Sequence, residues 1–150
     1  MRTFTKQRIG DEKFLPKNLQ MAEIIAMREL IFDELTGLMT PYHFYESAKR
    51  IKSWADRRGE ALAIIAIRTP TISDDTFVEV SRTLNSELRG GDLLTRMSKQ
   101  TFAILLLGDE KSADHLIFRL SHIIKLQLIY TRTYFDTNEE LAAALERLGI

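Results

Sequence analysis

Apolar residues first recur at helical spacing from about Asn18 onward. Met21, Ile24, Ile25, Ile31 and Leu35 fall near one period, with Glu23, Arg28 and Glu29 between them. Gly37 breaks the pattern, as a residue able to take left-handed backbone at a helix end. Pro41 suits the first turn of a second helix. That helix sets Phe44, Ala48, Ile51 and Trp54 on one face, which predicts Trp54 in the core rather than as a stacking platform, and it ends near Arg57-Arg58-Gly59. Ala61 to Ile67 is a continuous apolar run, expected of a central strand covered on both faces and stopped by Pro70. Asp74 or Asp75 is then expected to cap a helix that turns Phe77, Val80, Leu84 and Leu88 inward.

The stretch from Leu88 to Leu107 reads as two short strands joined by a tight polar turn. Ser112 to about Lys125 is a further amphipathic helix, with Leu116, Ile117, Leu120, Ile123 and Ile124 on one side. Leu126 to Phe135 reads as a strand and Glu139 to Leu148 as a short last helix. After two leading helices the order is strand, helix, strand, strand, helix, strand. This order is that of a split βαβ, ferredoxin-like α+β domain with a mixed sheet flanked by helices. Residues 1 to about 16 mix charge, Gly10 and Pro16 without period, so a flexible arm is expected there. The division is an arm and helix over 1–32 and a domain over 33–150. The leading helix has two open readings: it packs on its own domain, or its stripe pairs with a second copy.

Three features resemble the GGDEF domain, the fold of bacterial diguanylate cyclases and of the nucleotide-cyclase palm. Asp33-Glu34-Leu35-Thr36-Gly37-Leu38 is similar to the Asp-x-Leu-Thr-Gly-Leu that opens it, although Thr40-Pro41 stands where the family usually has Asn-Arg. Arg89-Gly90-Gly91-Asp92 matches the family's Arg-x-x-Asp at the same interval before the signature turn. Arg96-Met97 and Phe102-Ala103-Ile104-Leu105-Leu106 look like the strands that flank the signature. The turn itself departs: Ser98-Lys99-Gln100-Thr101-Phe102 replaces Gly-Gly-Asp/Glu-Glu-Phe.

The resemblance implies where catalytic groups would stand. Diguanylate cyclases join two GTP molecules by metal-assisted attack of a ribose 3′-hydroxyl on an α-phosphate, which needs carboxylates to hold hard cations. At the strand position this chain has Ala66, and the next acidic position of the family pattern is Arg68. At the turn the acids become Gln100-Thr101, and Ser98-Lys99 replaces the glycines that let backbone approach phosphate. The guanine-gripping segment is shortened to Arg68-Thr69-Pro70-Thr71-Ile72-Ser73, where Asp74 matches a base-contacting Asp and Ser73 is a poor substitute for its Asn partner. The family's basic, Gly-rich segment after the last helix has no counterpart before Ile150. The expectation is a domain that does not catalyse, with no catalytic residue, no metal and no cofactor.

What survives is the family's inhibitory site for cyclic di-GMP. Arg89 offers a planar fork to phosphate oxygens or to the Hoogsteen edge of guanine, and Asp92 can accept from the guanine N1–H and N2 edge. Gly90-Gly91 leaves room for a bulky ligand. The third arginine of the family falls near Ser121 by register, and Arg119, close by on the same helix, is the candidate for it. The alternative is that Arg89 and Asp92 are a surface pair beside a turn, contributing little. The expected function is therefore an inactive regulatory module that receives cyclic di-GMP through Arg89, Asp92 and Arg119. Its alternative is a ligand-independent interaction or dimerisation module in bacterial signalling.

Composition narrows the partners. Across 150 residues, 21 Lys and Arg balance 21 Asp and Glu, which gives no general argument for nucleic acid or an anionic membrane. The absence of cysteine excludes disulfides and thiolate chemistry. No apolar run approaches a bilayer span and the N-terminus lacks a secretory stretch, so a soluble cytosolic protein is expected. His115 and His122 are too widely spaced on their helix for a zinc pair, and His43 is isolated. Asp109-Glu110 is expected to favour a helix start, and Lys49-Arg50, Lys52 and Arg57-Arg58 to form a solvated helix face.

Overall fold

The computed structural model describes residues 20–135 and 138–150. The arm expected over 1–16 lies outside the described residues. The elements are α1 (Met21–Ile31), α2 (Pro41–Arg58), β1 (Leu62–Arg68), α3 (Asp74–Ser86), β2 (Leu93–Ser98), β3 (Thr101–Leu107), α4 (Glu110–Ile123), β4 (Ile129–Tyr134) and α5 (Leu141–Arg147). The sheet order is β2-β3-β1-β4, the split βαβ order. All three strand pairings are antiparallel. The parallel character expected of a mixed sheet is confined to an isolated bridge between Met39 and Thr95, which touches the outer edge of β2 at that one residue. There the Thr95 hydroxyl donates to the Met39 carbonyl at 2.6 Å.

Alternation along β1 divides the core into two. Ala63, Ile65 and Ile67 face α3 and α4, meeting Phe77, Val80, Leu84, Leu116 and Leu120. Leu62 and Ile64 face α2 and α5, meeting Phe44, Ala48, Ala55, Leu141 and Leu145. Each strand of the β1–β3 centre is thus buried on both sides, which is why β1 reads as an unbroken apolar run. Stacked Phe77 and Phe102, 4.5 Å between centroids, tie α3 to β3.

Caps explain the element boundaries. Thr40 caps α2 by accepting from the His43 N–H at 3.2 Å, with Pro41 in the first turn, and Gly59 ends it in left-handed backbone at φ 67°. Ser73, rather than Asp74 or Asp75, caps α3 by accepting from the Thr76 N–H; the two aspartates occupy the first turn, where they oppose the positive helix end. Asp109 caps α4 by accepting from the Ser112 N–H, so that helix begins two residues before the expected Ser112. The Asp33 carboxylate accepts from both the N–H and the hydroxyl of Thr36, and Gly37, at φ 75°, closes the turn.

Several side chains lie elsewhere than the sequence pattern places them. Trp54 is 38% exposed, because it lies about 100° around the helix from buried Ala55. Lys52 is only 6% exposed and its ammonium bonds both carboxylate oxygens of Asp56, so it is not part of a solvated face. Ile123 is exposed, and Ile124 takes the inward place. α1 contributes no buried residue, and Met21, Ile25 and Leu30 are exposed.

Candidate functional site

The Arg-x-x-Asp turn joins α3 to β2 and is built by its aspartate. Asp92 Oδ2 accepts from the Arg89 N–H at 3.0 Å, and Oδ1 accepts from the Leu107 N–H at 3.0 Å. The Asp92 N–H donates back to the Arg89 carbonyl at 3.1 Å. One half-buried carboxylate therefore fastens the turn to itself and to the end of β3. Gly91 lies against Leu107: a Cβ there would come within 2.5 Å of Leu107 Cδ1 and the leucine would have to move, whereas one on Gly90 would meet nothing within 4 Å. The close approach that the glycine pair permits is thus made at Gly91 by Leu107.

This scaffold presents Arg89 at the surface. Among the described residues its side chain has no ion pair or hydrogen-bond partner, and it lines a cleft of about 470 Å³ with Trp54, Glu60, Ala61, Leu107, Gly108, Asp109 and Ser112. The cleft lies where the end of α2, the approach to β1, the end of β3 and the start of α4 converge. Arg58 places its guanidinium over the Trp54 ring, 5.3 Å from the centroid. The Asp109 carboxyl is held below its ordinary value, chiefly because the backbone N–H of Ser112 donates to it.

Arg119 does not line this cleft. Its Nε donates to Glu87 Oε1 at 3.3 Å and its Nη2 to the Glu87 carbonyl at 3.2 Å. Of the three candidates from the sequence, Arg89 and Asp92 are therefore brought together in one turn, and Arg119 is spent on the residue that ends α3. Trp54 and Glu60 are cleft residues that sequence reasoning missed. The off-stripe helical position of Trp54 is the signal that could have found it.

The opposite end of the sheet holds the signature turn. Ala66 is fully buried between Ala103 and Thr131. The Arg68 guanidinium donates to the Thr131 hydroxyl at 3.3 Å and to the Leu148 carbonyl at 2.8 Å, which directs it toward the C-terminal residues. Gln100 at the turn donates through Nε2 to the Thr71 hydroxyl at 3.2 Å, and its carbonyl accepts from the Thr69 N–H at 2.9 Å. These side chains do not supply the carboxylate oxygens that a hard divalent cation needs. His115 and His122 both lie on α4, and His122 Nδ1 sits 2.8 Å from the Phe118 carbonyl. Among the described residues no helix is long and apolar enough to cross a membrane.

No protein-family model matches the sequence, and no curated protein does. Solved structures do share the fold. The coiled coil and GGDEF domain of DgcB from Caulobacter crescentus, in complex with cyclic di-GMP, matches with a TM-score of 0.76 at 12% identity, over 96% of this chain and 90% of that one. A microbial GGDEF domain in a novel interaction mode with cyclic di-GMP matches with a TM-score of 0.73 at 15% identity, over 81% of this chain and 86% of that one. The diguanylate cyclase SiaD from Pseudomonas aeruginosa, in complex with its activator SiaC, matches with a TM-score of 0.70 at 20% identity, over 95% of this chain and 63% of that one. The chain has the fold of GGDEF domains.

Proposed function

We propose that this chain is a regulatory GGDEF-like module that does not catalyse and that binds cyclic di-GMP through Arg89. The observation that carries the reading is the uncommitted Arg89 guanidinium, set in a cleft by a turn that Asp92 locks at both ends. A guanidinium fixed at its backbone loses less freedom on meeting a phosphate, which favours binding. Asp92 is then a positioning residue, and Arg119 steadies the turn through Glu87. Two of the similar structures hold cyclic di-GMP, which supports this choice of ligand. The lack of catalysis is supported by the donor set: a buried methyl at Ala66 and an amide at Gln100 stand where the resemblance puts metal-holding acids.

Calorimetric titration with cyclic di-GMP tests the binding. Saturable heat at micromolar or tighter affinity, lost in Arg89→Ala, supports it; no heat at high protein concentration ends it. Incubation with GTP and magnesium should yield no cyclic di-GMP, and product would overturn the catalytic part.

A second reading is a module that acts by self-association, favoured by the three exposed apolar residues of α1. Light scattering of the full chain against a Met21→Ser, Ile25→Ser, Leu30→Ser variant decides it, because an unchanged mass removes α1 from the account.

A further inference from the structure

The Arg89 cleft carries groups of three chemistries: an indole, carboxylates and a guanidinium. Trp54 is the only tryptophan in the chain, and it is 38% exposed rather than packed in the core. Glu60 follows the α2 C-cap, and its carboxylate makes no hydrogen bond or ion pair among the described residues. Arg89 is likewise uncommitted. Asp109 also lines the cleft, but its Oδ1 is engaged by the N–H and the hydroxyl of Ser112, at 3.1 and 3.2 Å.

We infer that this cleft is a guanine subsite, in which Trp54 stacks the base, Glu60 accepts from its N1–H and 2-amino edge, and Arg89 meets the adjoining phosphate. The inference rests on the cyclic di-GMP reading above and says where the base goes. Both carboxylate oxygens of Asp92 already accept from backbone N–H groups, so the acceptor role expected of Asp92 passes to a carboxylate with both oxygens unpartnered. A carboxylate is the side chain that accepts two parallel donors at once, and guanine offers two such donors on one edge whereas adenine does not. An indole gives any base a flat stacking face; the Arg58 guanidinium lies over one face of Trp54, so the base takes the other. Two carboxylates in the cleft disfavour a bare phosphate beside them, which gives the base to Glu60 and the phosphate to Arg89.

Trp54 is its own reporter. The full chain is titrated with cyclic di-GMP while heat and Trp54 emission are both recorded. The expected result is saturable quenching of Trp54 with the same midpoint as the heat. Trp54→Ala should weaken binding about tenfold or more by calorimetry, with Trp54→Phe retaining most of it. Glu60→Gln should weaken cyclic di-GMP about tenfold and narrow its preference over cyclic di-AMP, whose adenine lacks both donors. Both side chains are exposed, and circular dichroism melts near the wild-type value certify the variants. Heat without any change in Trp54 emission, or wild-type affinity in both Trp54→Ala and Glu60→Gln, overturns the inference and leaves Arg89 as the ligand's contact. No heat overturns the cyclic di-GMP reading itself, and the subsite with it.

Discussion

Arg96 reaches back 63 residues to Asp33, with Nη1 3.4 Å from Oδ1, while its guanidinium lies 4.7 Å from the centroid of the Phe77 ring. The contact joins the turn after α1 to the strand before the signature turn and to α3. Arg96 Nη2 also donates to the Lys99 carbonyl at 3.2 Å, so one guanidinium spans three segments.

Removing its partner should be costly. Asp33→Ala deletes the acceptor for Arg96 and for both donors of Thr36, and should lower stability by about 2 kcal/mol in urea denaturation. Asp33→Asn keeps an acceptor for Thr36 and should cost about half as much. Equal effects would mean that the neutral acceptor kept in Asp33→Asn contributes nothing and that the charge carries the whole loss.

Asp92 should behave as a structural residue first. Asp92→Ala leaves the Leu107 and Arg89 N–H groups without their acceptor and should destabilise by about 1–3 kcal/mol. Amide exchange should show protection lost at Leu107 before it is lost at the centre of β3. Arg89→Ala, which leaves Asp92's backbone bonds in place, should melt within about 0.5 kcal/mol of the native protein. If Asp92→Ala melts like the native chain, the turn is held by something other than this carboxylate.

Tyr130 supplies an alkaline signature. Its buried hydroxyl has no hydrogen-bond partner among the described residues, and burial raises its pKa above the ordinary 10.0. Above that ordinary value the unfolded chain ionises Tyr130 while the folded chain keeps the proton. This contribution to stability is thus complete below the unfolded pKa and is lost as pH rises through the folded one. Tyr130→Phe should be neutral or stabilising at pH 7 and should flatten the fall in melting temperature above about pH 10. A Tyr130→Phe protein less stable at pH 7 by more than about 1 kcal/mol would show that the hydroxyl has a partner after all.

Gly59 isolates a backbone effect. It sits at φ 67° with nothing within 4 Å of where a Cβ would be, so Gly59→Ala creates no clash. Left-handed strain alone should cost about 1 kcal/mol, read as a lower urea midpoint at unchanged slope. No loss would mean that the end of α2 relaxes freely.

Much of this fold is legible in the sequence because burial is nearly binary. β1 is apolar at every position from Leu62 to Ile67, and β3 from Phe102 to Leu107, because helices cover both faces of the sheet centre. Gly37 and Gly59 mark turns because each holds a positive φ. The expected strand from Leu126 shrinks to Ile129–Tyr134, since Leu126 and Leu128 pack on the core from a connection rather than from the ladder. The Arg89–Asp92 turn is visible as a motif, but the use of its aspartate is not. That both Asp92 oxygens are consumed depends on Leu107, 15 positions away, and on the hairpin register that brings it there. The Trp54 and Glu60 wall is assembled across α2, β3 and α4, and a linear pattern does not reveal such a convergence.

The Met39 bridge has a topological consequence. It meets β2 at Thr95 alone, so each border of the sheet, β2 on one side and β4 on the other, is closed by no neighbouring strand among the described residues. A body with two sticky borders can accept a neighbour on either, and Met39 obstructs one of them at a single position.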